Sequence, residues 1–541
     1  MSNLIVHRGD NDIVLDTSDD VTYCYQIGIG RVIGDNCINL NDSKQLHEIA
    51  ITLRQKYTEW VYTFNDLFLD KGLVYRNISL FFLTDLSNKR NELFDTYGVI
   101  LNLTLLRAKL ADKEVNTIRL IGLDSVFEQS IRSIFPDATI CSERTKRRRV
   151  QLVRRIAADM KYFMEVILVI AMNRLAAVVI RKATPRNSGR LFFSFFPQTF
   201  DENCVDTRYG AMVNDEDRYL VTIMADGMHQ QISPFRYRKL LRELPRDKFV
   251  LIDREFQLSD IWRGIYWLVG CWRLTWAERN TKWLFEQIEV TGFIRQELIW
   301  SASRVGRLIV VAGALGRTLK GTSATQLTYL VFEYAFGRMI SAIAKSSAPL
   351  VERVGFNHGD FSWRFLNYFL AKGEARVDPP YLQHCPIPDK VLAEDELCAE
   401  IYDYNGYQSV TIMAQVERLK YLDAISPAID KRFALIVGGL HDGENLLKVL
   451  LDTIKSSSKT RFLFKPHPRA RTNYLSICQD IPNLQIVHTP IQELLAYVGR
   501  IYVTYSGVGV EGWRLGIPVT LVDIPGHASW SKLLDFDEFK R

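Results

Sequence analysis

The chain has 541 residues, of which 47% are hydrophobic and 24% charged, and it carries a formal net charge of +6. This length predicts two or three domains with sizeable hydrophobic cores, and the composition is that of a globular protein. A net charge this small for the chain's size gives no support to a nucleic-acid-binding protein, so we expect no nucleic-acid partner.

The eight cysteines are scattered along the chain, with no C-x-x-C pair and no His/Cys cluster at the spacing of metal ligands. Unpaired cysteines are typical of a reducing compartment, and the N-terminal residues contain no apolar signal-peptide segment. We therefore expect a cytoplasmic protein with no disulfide framework and no metal site.

The first 140 residues alternate apolar runs with helical patterns. Residues 78–83 and 117–122 are apolar runs that predict buried parallel strands. Residues 42–64 and 91–110 have the periodicity of helices. This alternation favours β-α-β units and a parallel sheet.

A basic segment follows at residues 144–190, with thirteen lysines and arginines against two acids. Its pattern predicts a helix with an apolar middle. One interpretation is a solvated helix that joins two halves of a domain; the other is an amphipathic, basic surface that rests on anionic lipid. A membrane span is not expected, because the most apolar stretch, 162–180, carries Glu165, Asn173 and Arg174.

Strand-like runs resume at 191–196, 219–224 and 249–252, and a long helical region covers residues 258–320. That region holds six of the ten tryptophans, interleaved with arginine and lysine. Core packing of a large helical insert explains them, and a Trp/Arg belt at a lipid surface is the alternative.

An acidic, proline-rich stretch at 374–405 is typical of an interdomain linker. It predicts an N-terminal α/β domain at 1–395 and a C-terminal α/β domain at 396–541. The strands expected in the C-terminal domain are 410–413, 434–437, 462–464, 484–487, 501–503 and 519–522.

Two C-terminal segments have the form of a buried strand that ends in small, polar or cationic residues and turns into a helix. Lys465 and His467 follow the first strand, and Ser506, Gly507 and Glu511 follow the second. Ligands of open α/β sheets bind at the carboxyl ends of strands, where free N–H groups and cations stabilise an anion. Ser506 and Gly507 are predicted to bind a donor phosphate with Lys465 or His467, and Glu511 to accept from ribose hydroxyls. The Asp-Gly of 442–443 is expected to form a turn on the phosphate side.

These segments, Lys-Pro-His-Pro at 465–468 and Ser-Gly-x-x-x-Glu at 506–511, resemble the donor half of GT-B glycosyltransferases. In particular, they are similar to the HP and Ser/Thr motifs of bacterial sialyltransferases, Kdo transferases and CDP-glycerol phosphotransferases. A broader similarity, to surface-carbohydrate (O-antigen type) biosynthesis proteins, rests on the stretches 82–89, 207–210, 332–334 and 354–360. The resemblance implies a GT-B-like α/β fold, with two Rossmann-like domains facing a cleft and a large helical insert in the first.

The N-terminal half is then expected to hold the acceptor and the catalytic base. His358 lies in a segment similar to the His-Gly loop of the CDP-glycerol enzymes, and the ordinary pKa of histidine suits a general base. Asp226 is a second candidate, because an acid followed by glycine is similar to the base motif of bacterial sialyltransferases, although Ala225 replaces its second acid. A structural histidine and a simple Asp-Gly turn are the alternatives. The acceptor-side candidates are Arg208, Glu333 and Asp360.

The resemblance thus implies an enzyme that moves a CMP-activated acidic sugar, a nonulosonic acid or Kdo, onto a lipopolysaccharide or other surface-glycan acceptor. The expected partners are the nucleotide sugar, a glycan or lipid-linked acceptor, and an anionic membrane surface on the inner face of the cytoplasmic membrane. The nucleotide sugar is a substrate, and no cofactor is expected. Three alternatives stay open: a transferase that uses a nucleoside-diphosphate sugar, an epimerase on the same plan, and an inactive scaffold of a glycan-assembly complex.

Overall fold

Three parallel β-sheets with one winding order form the framework of the chain. The computed structural model describes residues 2–14, 21–34, 36–143, 149–179, 189–245, 247–331, 334–359, 361–470 and 472–539. With the strands of each sheet counted along the chain, both five-stranded sheets have the order 3-2-1-4-5, and the seven-stranded sheet continues it as 3-2-1-4-5-6-7. In such a sheet the order reverses between strands 1 and 4, and ligands bind at the carboxyl ends of those strands.

The N-terminal unit holds the first five-stranded sheet, ordered β5-β3-β1-β8-β9. Its central strand pairs Val6 with Tyr25 on one side and with Leu120 on the other. Its elements are β1 (Ser2–Arg8), β2 (Ile13–Val14), β3 (Thr22–Ile27), β4 (Val32–Ile33), β5 (Cys37–Asn39), α1 (Ser43–Tyr62), α2 (Phe64–Asp70), β6 (Val74–Tyr75), β7 (Ile78–Ser79), α3 (Thr96–Lys109), β8 (Val115–Ile121), α4 (Ser125–Ile134) and β9 (Thr139–Glu143).

The second unit holds the seven-stranded sheet, ordered β12-β11-β10-β15-β16-β19-β20. Its elements are α5 (Arg149–Val179), β10 (Arg190–Phe195), β11 (Arg218–Thr222), α6 (Pro234–Glu243), β12 (Phe249–Leu251), α7 (Leu258–Ala277), β13 (Leu284–Phe285), β14 (Ile288–Glu289), α8 (Thr291–Lys320), β15 (Gln326–Leu330), α9 (Tyr334–Ser347), β16 (Glu352–Phe356), β17 (Ala375–Arg376), β18 (Cys385–Pro386), β19 (Lys390–Ala393), α10 (Glu396–Tyr404) and β20 (Val410–Ile412).

The third unit holds the second five-stranded sheet, ordered β23-β22-β21-β24-β25. Its elements are β21 (Asp430–Val437), α11 (Gly443–Val449), α12 (Leu451–Ser456), β22 (Arg461–Lys465), α13 (Leu475–Cys478), β23 (Leu484–Ile486), α14 (Ile491–Leu495), β24 (Val498–Val503), α15 (Val508–Arg514) and β25 (Val519–Leu521).

Helix α8 is the buried centre of the helical region predicted at 258–320. It is the one helix of the described segments that is long and apolar enough to cross a membrane, and 89% of its most apolar window is buried inside the fold. Helix α7 packs along it at close range, because a Cβ added to Gly264 would lie 2.6 Å from the Gly306 carbonyl oxygen. Two small residues at one crossing let the two backbones approach.

The predicted α/β class with parallel Rossmann-like sheets is confirmed by the strand pairing. Three local expectations are wrong. Residues 78–83 form the two-residue strand β7 followed by a 3-10 turn, because Arg76 and Asn77 adopt positive φ and close a hairpin with β6. The apolar run is buried in the core as expected, but as a short strand and a 3-10 turn and not as one parallel strand.

The segment expected as a linker, 374–405, is folded, and it contains β17 to β19 and α10. The strand expected at 410–413 forms as β20, but it pairs with β19 in the seven-stranded sheet and not with the C-terminal sheet. Proline and acid content suggested a linker because composition does not reveal the pairing of short strands, which depends on residues distant in sequence. The domain limits at 395 and 396 stay a prediction.

The cysteines depart from the expectation of no disulfide. Cys24 and Cys37 are bonded, since they lie on the adjacent strands β3 and β5 with their Cα atoms 6.2 Å apart. Their separation of 13 residues matches no short cysteine motif, so the pattern of spacings did not reveal them. Within the described ranges the other six cysteines are free.

Candidate nucleotide and acceptor site

The carboxyl ends of β21, β22 and β24 meet at the point where the order of the C-terminal sheet reverses. Strand β21 leads into Gly438 and Gly439, and the loop after β24 begins at Thr504. The Thr504 hydroxyl donates to the Asp442 carboxylate, which ties the two loops together. Burial raises the pKa of Asp442, although the hydrogen bonds from Thr504 and Tyr505 act to lower it.

Gly439 has no room for a side chain. A Cβ at this position would lie 2.3 Å from Asp442 Oδ1 and 2.6 Å from the Tyr505 hydroxyl oxygen. The glycine therefore allows the acid and the phenol to approach the backbone at the end of β21. The chain forms a turn at 440–442, and its place on a phosphate side stays a prediction.

Lys465 and His467 lie at the end of the neighbouring strand β22. Lys465 Nζ donates to the Thr489 carbonyl oxygen at 2.6 Å, and His467 Nδ1 accepts from the Arg469 backbone N–H at 3.1 Å. Burial lowers the pKa of both side chains. The charges of Arg469 and His441 lower the pKa of His467 further, so these two side chains lie close to it.

Ser506 and Gly507 precede the short helix α15 and are partly exposed. The backbone of Ser506 accepts from Gly509 N, while its hydroxyl makes no hydrogen bond to any described residue. Glu511, on α15, is 8% exposed, and the Tyr421 hydroxyl donates to its carboxylate. Ser506 therefore presents a donor group at the switch point, whereas Glu511 is held by protein groups.

A loop of the N-terminal unit faces this switch point. Arg90 and Glu92 form an ion pair of 2.8 Å, and both contribute to the field that acts on the pKa of His441. Burial lowers the pKa of His441, and Glu92 also contributes to raising the pKa of Tyr505. The sequence did not single out this pair, although the stretch 82–89 that carries the surface-carbohydrate resemblance ends immediately before Arg90.

His358 follows β16 at the carboxyl edge of the seven-stranded sheet. Burial lowers the pKa of His358 to about 3, and the charges of Arg208 and Arg418 act in the same direction. Its Nδ1 is buried and has no hydrogen-bond partner in the described part of the chain. The backbone beside it is fixed, since Gly359 has φ +123° and its N–H donates to the Glu394 carboxylate at 3.2 Å.

Arg418 connects His358 with the donor side. Its Nη1 lies 3.4 Å from Glu511 Oε1, and its Nε and Nη2 donate to the two oxygens of Glu394. The charge of Arg418 thus acts on His358 of the second unit, while its guanidinium contacts Glu511 on α15 of the C-terminal unit. Sequence reasoning missed Arg418 and Glu394, because they lie in segments without a motif.

Asp226 is fully buried at the end of β11. Its carboxylate accepts from the Met228 and His229 N–H groups and from His229 Nδ1, and Arg304 donates to it as well. Burial opposes ionisation, yet His229 and Arg304 hold the pKa of Asp226 well below its ordinary value. This is the Asp-Gly turn given as the alternative, and it leaves no exposed oxygen to accept a proton from an acceptor hydroxyl.

The acceptor-side candidates do not form one surface. Arg208 is 7% exposed and turns back to donate to Asp206 and Ser194 beneath the His358 loop. Glu333 and Asp360 lie outside the described residues. Within the ranges that the structure describes, no group of three or more His, Cys, Asp or Glu side chains is placed to hold a metal ion.

Comparison with known proteins finds distant structural likeness alone. No family model and no curated protein matches the sequence. The UDP-N-acetylglucosamine 2-epimerase from Rickettsia bellii is 10% identical, with a TM-score of 0.35 over 65% of this chain and 81% of that one. Phytolacca americana UGT2, complexed with UDP-2fluoro-glucose and pterostilbene, is 11% identical, with a TM-score of 0.31 over 63% and 81%. The wall teichoic acid polymerase TagF is 11% identical, with a TM-score of 0.29 over 69% and 78%. At these scores the chain's own residues must carry any inference about activity.

Proposed function

We propose that the chain is a glycosyltransferase that binds a nucleotide-activated sugar at the carboxyl ends of β21, β22 and β24. The observation that carries this is the convergence of a lysine, two histidines, an arginine and a free serine hydroxyl at the switch point of a 3-2-1-4-5 sheet. These groups are Lys465, His441, His467, Arg469 and Ser506. Such a set of cations and donors suits a phosphate at the position where this sheet type binds its ligands.

The departing nucleotide gains negative charge on its phosphate as the glycosidic bond breaks. Lys465 and Arg469 stabilise that charge as fixed cations, and Ser506 donates a hydrogen bond. Burial and neighbouring cations lower the pKa of His441 and His467, which favours their neutral forms in the empty site. A bound phosphate reverses the field on both imidazoles, so nucleotide binding is accompanied by proton uptake.

His358 serves as the base that takes the proton from the acceptor hydroxyl. In the empty site its imidazole is neutral and Nδ1 lacks a partner, so the nitrogen is able to accept a proton. The low pKa makes His358 a weak base until the donor is bound. Negative charge on the donor offsets the cations Arg208 and Arg418 and raises the pKa of His358 toward the working range.

The resemblance of the C-terminal motifs favours a CMP-linked acidic sugar and a surface-glycan acceptor. Thermal-shift titration with CMP, CDP, UDP and GDP tests the donor class. A rise in melting temperature with CMP alone supports this proposal, and a rise with UDP alone supports a nucleoside-diphosphate-sugar transferase or an epimerase. No response to any of the four nucleotides contradicts nucleotide-dependent transfer and favours a scaffold role.

Two histidine variants separate the donor side from the base. His467→Ala should weaken nucleotide binding, while His358→Ala should leave nucleotide binding intact and abolish transfer to the acceptor. His384→Ala is the matched control, because this half-buried histidine lies outside the proposed site and hydrogen-bonds the Gly373 carbonyl oxygen. Full turnover by His358→Ala would overturn the assignment of the base.

A further inference from the structure

Helix α5 shows apolar side chains to the solvent along its length. Surface helices of soluble proteins turn polar and charged side chains outward, whereas α5 also exposes a stripe of large apolar side chains. Eight of the large hydrophobic side chains that are exposed in the described structure lie on this one helix. They are Leu152, Val153, Ile156, Met160, Met164, Ile167, Leu168 and Leu175. Their spacing of three and four residues places them on one side of the helix.

The opposite side of α5 is anchored in the protein, so the exposed stripe is not the result of a detached helix. Tyr162, Val166 and Val169 are buried, and the Tyr162 hydroxyl donates to the Ala225 carbonyl oxygen at 2.9 Å. Arg307 forms a buried ion pair of 2.7 Å with Asp159. The helix is thus fixed in orientation, with its apolar stripe outward.

The two helices that pack beside α5 also expose large apolar side chains. Tyr237 of α6 donates to Asn173 of α5, and Phe235 at the start of α6 is 91% exposed. Helix α7 packs against α5, since a Cβ added to Gly264 of α7 would lie 3.3 Å from a ring carbon of Phe163 of α5. Helix α7 exposes Trp262, Tyr266 and Trp276 by 72%, 65% and 67%. Large aromatic side chains of this kind are typical of the water–membrane interface.

The exposed charges around the stripe are mainly basic, and the exposed acid of α6, Glu243, lies 3.8 Å from Lys239. Among the α5 positions whose side chains are described, the exposed charges are Arg154, Lys161 and Arg174, because Asp159 is buried with Arg307 and Glu165 faces Lys161 at 3.8 Å. The neighbouring helices add exposed basic side chains: Arg236, Arg238, Lys239, Arg242, Arg263 and Arg273. In the sequence, Lys146, Arg147 and Arg148 precede the helix.

We propose that this face, formed by α5 with the exposed sides of α6 and α7, docks on an anionic lipid membrane. Apolar side chains that enter the acyl boundary, with a rim of arginine and lysine against anionic headgroups, are the chemistry of an interfacial helix. A second copy of the chain fits less well, because a symmetric contact through this face brings the basic rims of both copies together.

Docking in this way places lipid beside the carboxyl edge of the seven-stranded sheet, where His358 lies. Arg155 of α5 stacks on Trp300 at 3.6 Å and lies 3.9 Å from Met228, in the loop that follows β11. That loop is at the same carboxyl edge as His358. The membrane proposal does not depend on the transferase activity, although it suits an acceptor carried by a lipid.

Vesicle sedimentation with the full chain tests the proposal. The protein should pellet with phosphatidylcholine vesicles that contain phosphatidylglycerol, and high salt should weaken this binding. The variant Met160→Glu/Met164→Glu/Leu168→Glu should lower the partition coefficient by about tenfold or more, since it puts charge into the acyl boundary. All three positions are exposed, so the fold is retained, and circular dichroism checks that it is.

The matched control is Leu350→Glu/Leu475→Glu, which changes two side chains that are 96% and 64% exposed on other elements. It should bind vesicles like the unchanged protein. Equal vesicle binding by the α5 variant overturns the proposal, as does recovery of the unchanged protein in the supernatant. Light scattering measures the oligomeric state. If the unchanged protein is a dimer that does not bind vesicles, and the α5 variant is a monomer, the proposal is overturned in favour of a second copy. Nucleotide-induced thermal shifts are unaffected by the α5 variant, so failure here is distinct from failure of the proposed function.

Discussion

Arg418 donates to both carboxylate oxygens of Glu394, with Nε and Nη2 each 2.6 Å from an oxygen. Glu394 follows β19 of the seven-stranded sheet, and the third nitrogen of Arg418 reaches Glu511 of the C-terminal unit. The side chains of Arg418 and Glu394 are 17% and 3% exposed. One arginine therefore holds a carboxylate of the second unit, which carries the proposed base, and a carboxylate of the C-terminal unit, which carries the proposed donor site.

Replacing Arg418 by methionine should destabilise the protein by about 3 kcal/mol, because it leaves two largely buried carboxylates without their cation. The measurement is the free energy of unfolding from urea titration. Arg432→Met is the matched control, since Arg432 also pairs with a carboxylate, Asp430, but on the surface. The control should change little, and equal effects of the two variants would contradict a structural role for the Arg418 bridge.

Replacing Gly439 by alanine should remove nucleotide binding while the protein stays folded. The new Cβ would lie 2.3 Å from Asp442 Oδ1 and 2.6 Å from the Tyr505 hydroxyl oxygen, closer than van der Waals contact allows, so the loops at the ends of β21 and β24 must move apart. Thermal-shift titration with the nucleotide that the unchanged protein binds measures the loss. Gly321→Ala is the control, because no atom lies within 4 Å of its added Cβ. Normal nucleotide binding by Gly439→Ala would argue against a site at this switch point.

The position of the proposed donor-side residues at one sheet edge could be predicted from the sequence, because they lie in short segments at or directly after the ends of strands. Lys465, His467 and Ser506 each follow a strand within a few residues, and parallel strands bring their carboxyl ends to one edge. Arg418 and Glu92 could not be found in this way. They come from segments distant in sequence, and only the packing of the three units against each other brings them to the edge.

The fold shows the same division between local and long-range information. Apolar runs and helical periodicity gave the class of the chain and most strands of the C-terminal sheet. They did not give the pairing of β20, which depends on the neighbouring strand β19, nor the bond between Cys24 and Cys37, which depends on the register of β3 and β5. Sequence periodicity describes one element at a time, whereas pairing is a property of two.

Asp226→Asn should cost about 3 kcal/mol of stability, because it removes the charge that the buried guanidinium of Arg304 requires. It should leave the turnover per folded molecule unchanged, since Asp226 has no exposed surface in the site. Urea titration and transfer assays on the folded fraction measure the two effects. Asp137→Asn, at an exposed position, is the control for stability. Loss of transfer at full stability would restore Asp226 as a base.

Glu297 should make the stability of the protein fall as the pH rises toward the alkaline range. Burial raises the pKa of Glu297 from 4.5 to about 8, and the Thr96 hydroxyl contacts its carboxyl group. The folded protein holds this proton more tightly than the unfolded chain does. The stabilising contribution is therefore complete below about pH 4.5 and is lost as the pH rises to about 8.

Glu297→Gln keeps the shape of the side chain and cannot ionise, so its unfolding free energy should depend less on pH across this window. The difference from the unchanged protein should grow by up to about 1.4 kcal/mol for each pH unit, with the variant the more stable at the alkaline end. Glu202→Gln, at an exposed position, is the matched control and should follow the unchanged protein. Parallel pH profiles for Glu297→Gln and the unchanged protein would mean that Glu297 is already ionised in the folded state.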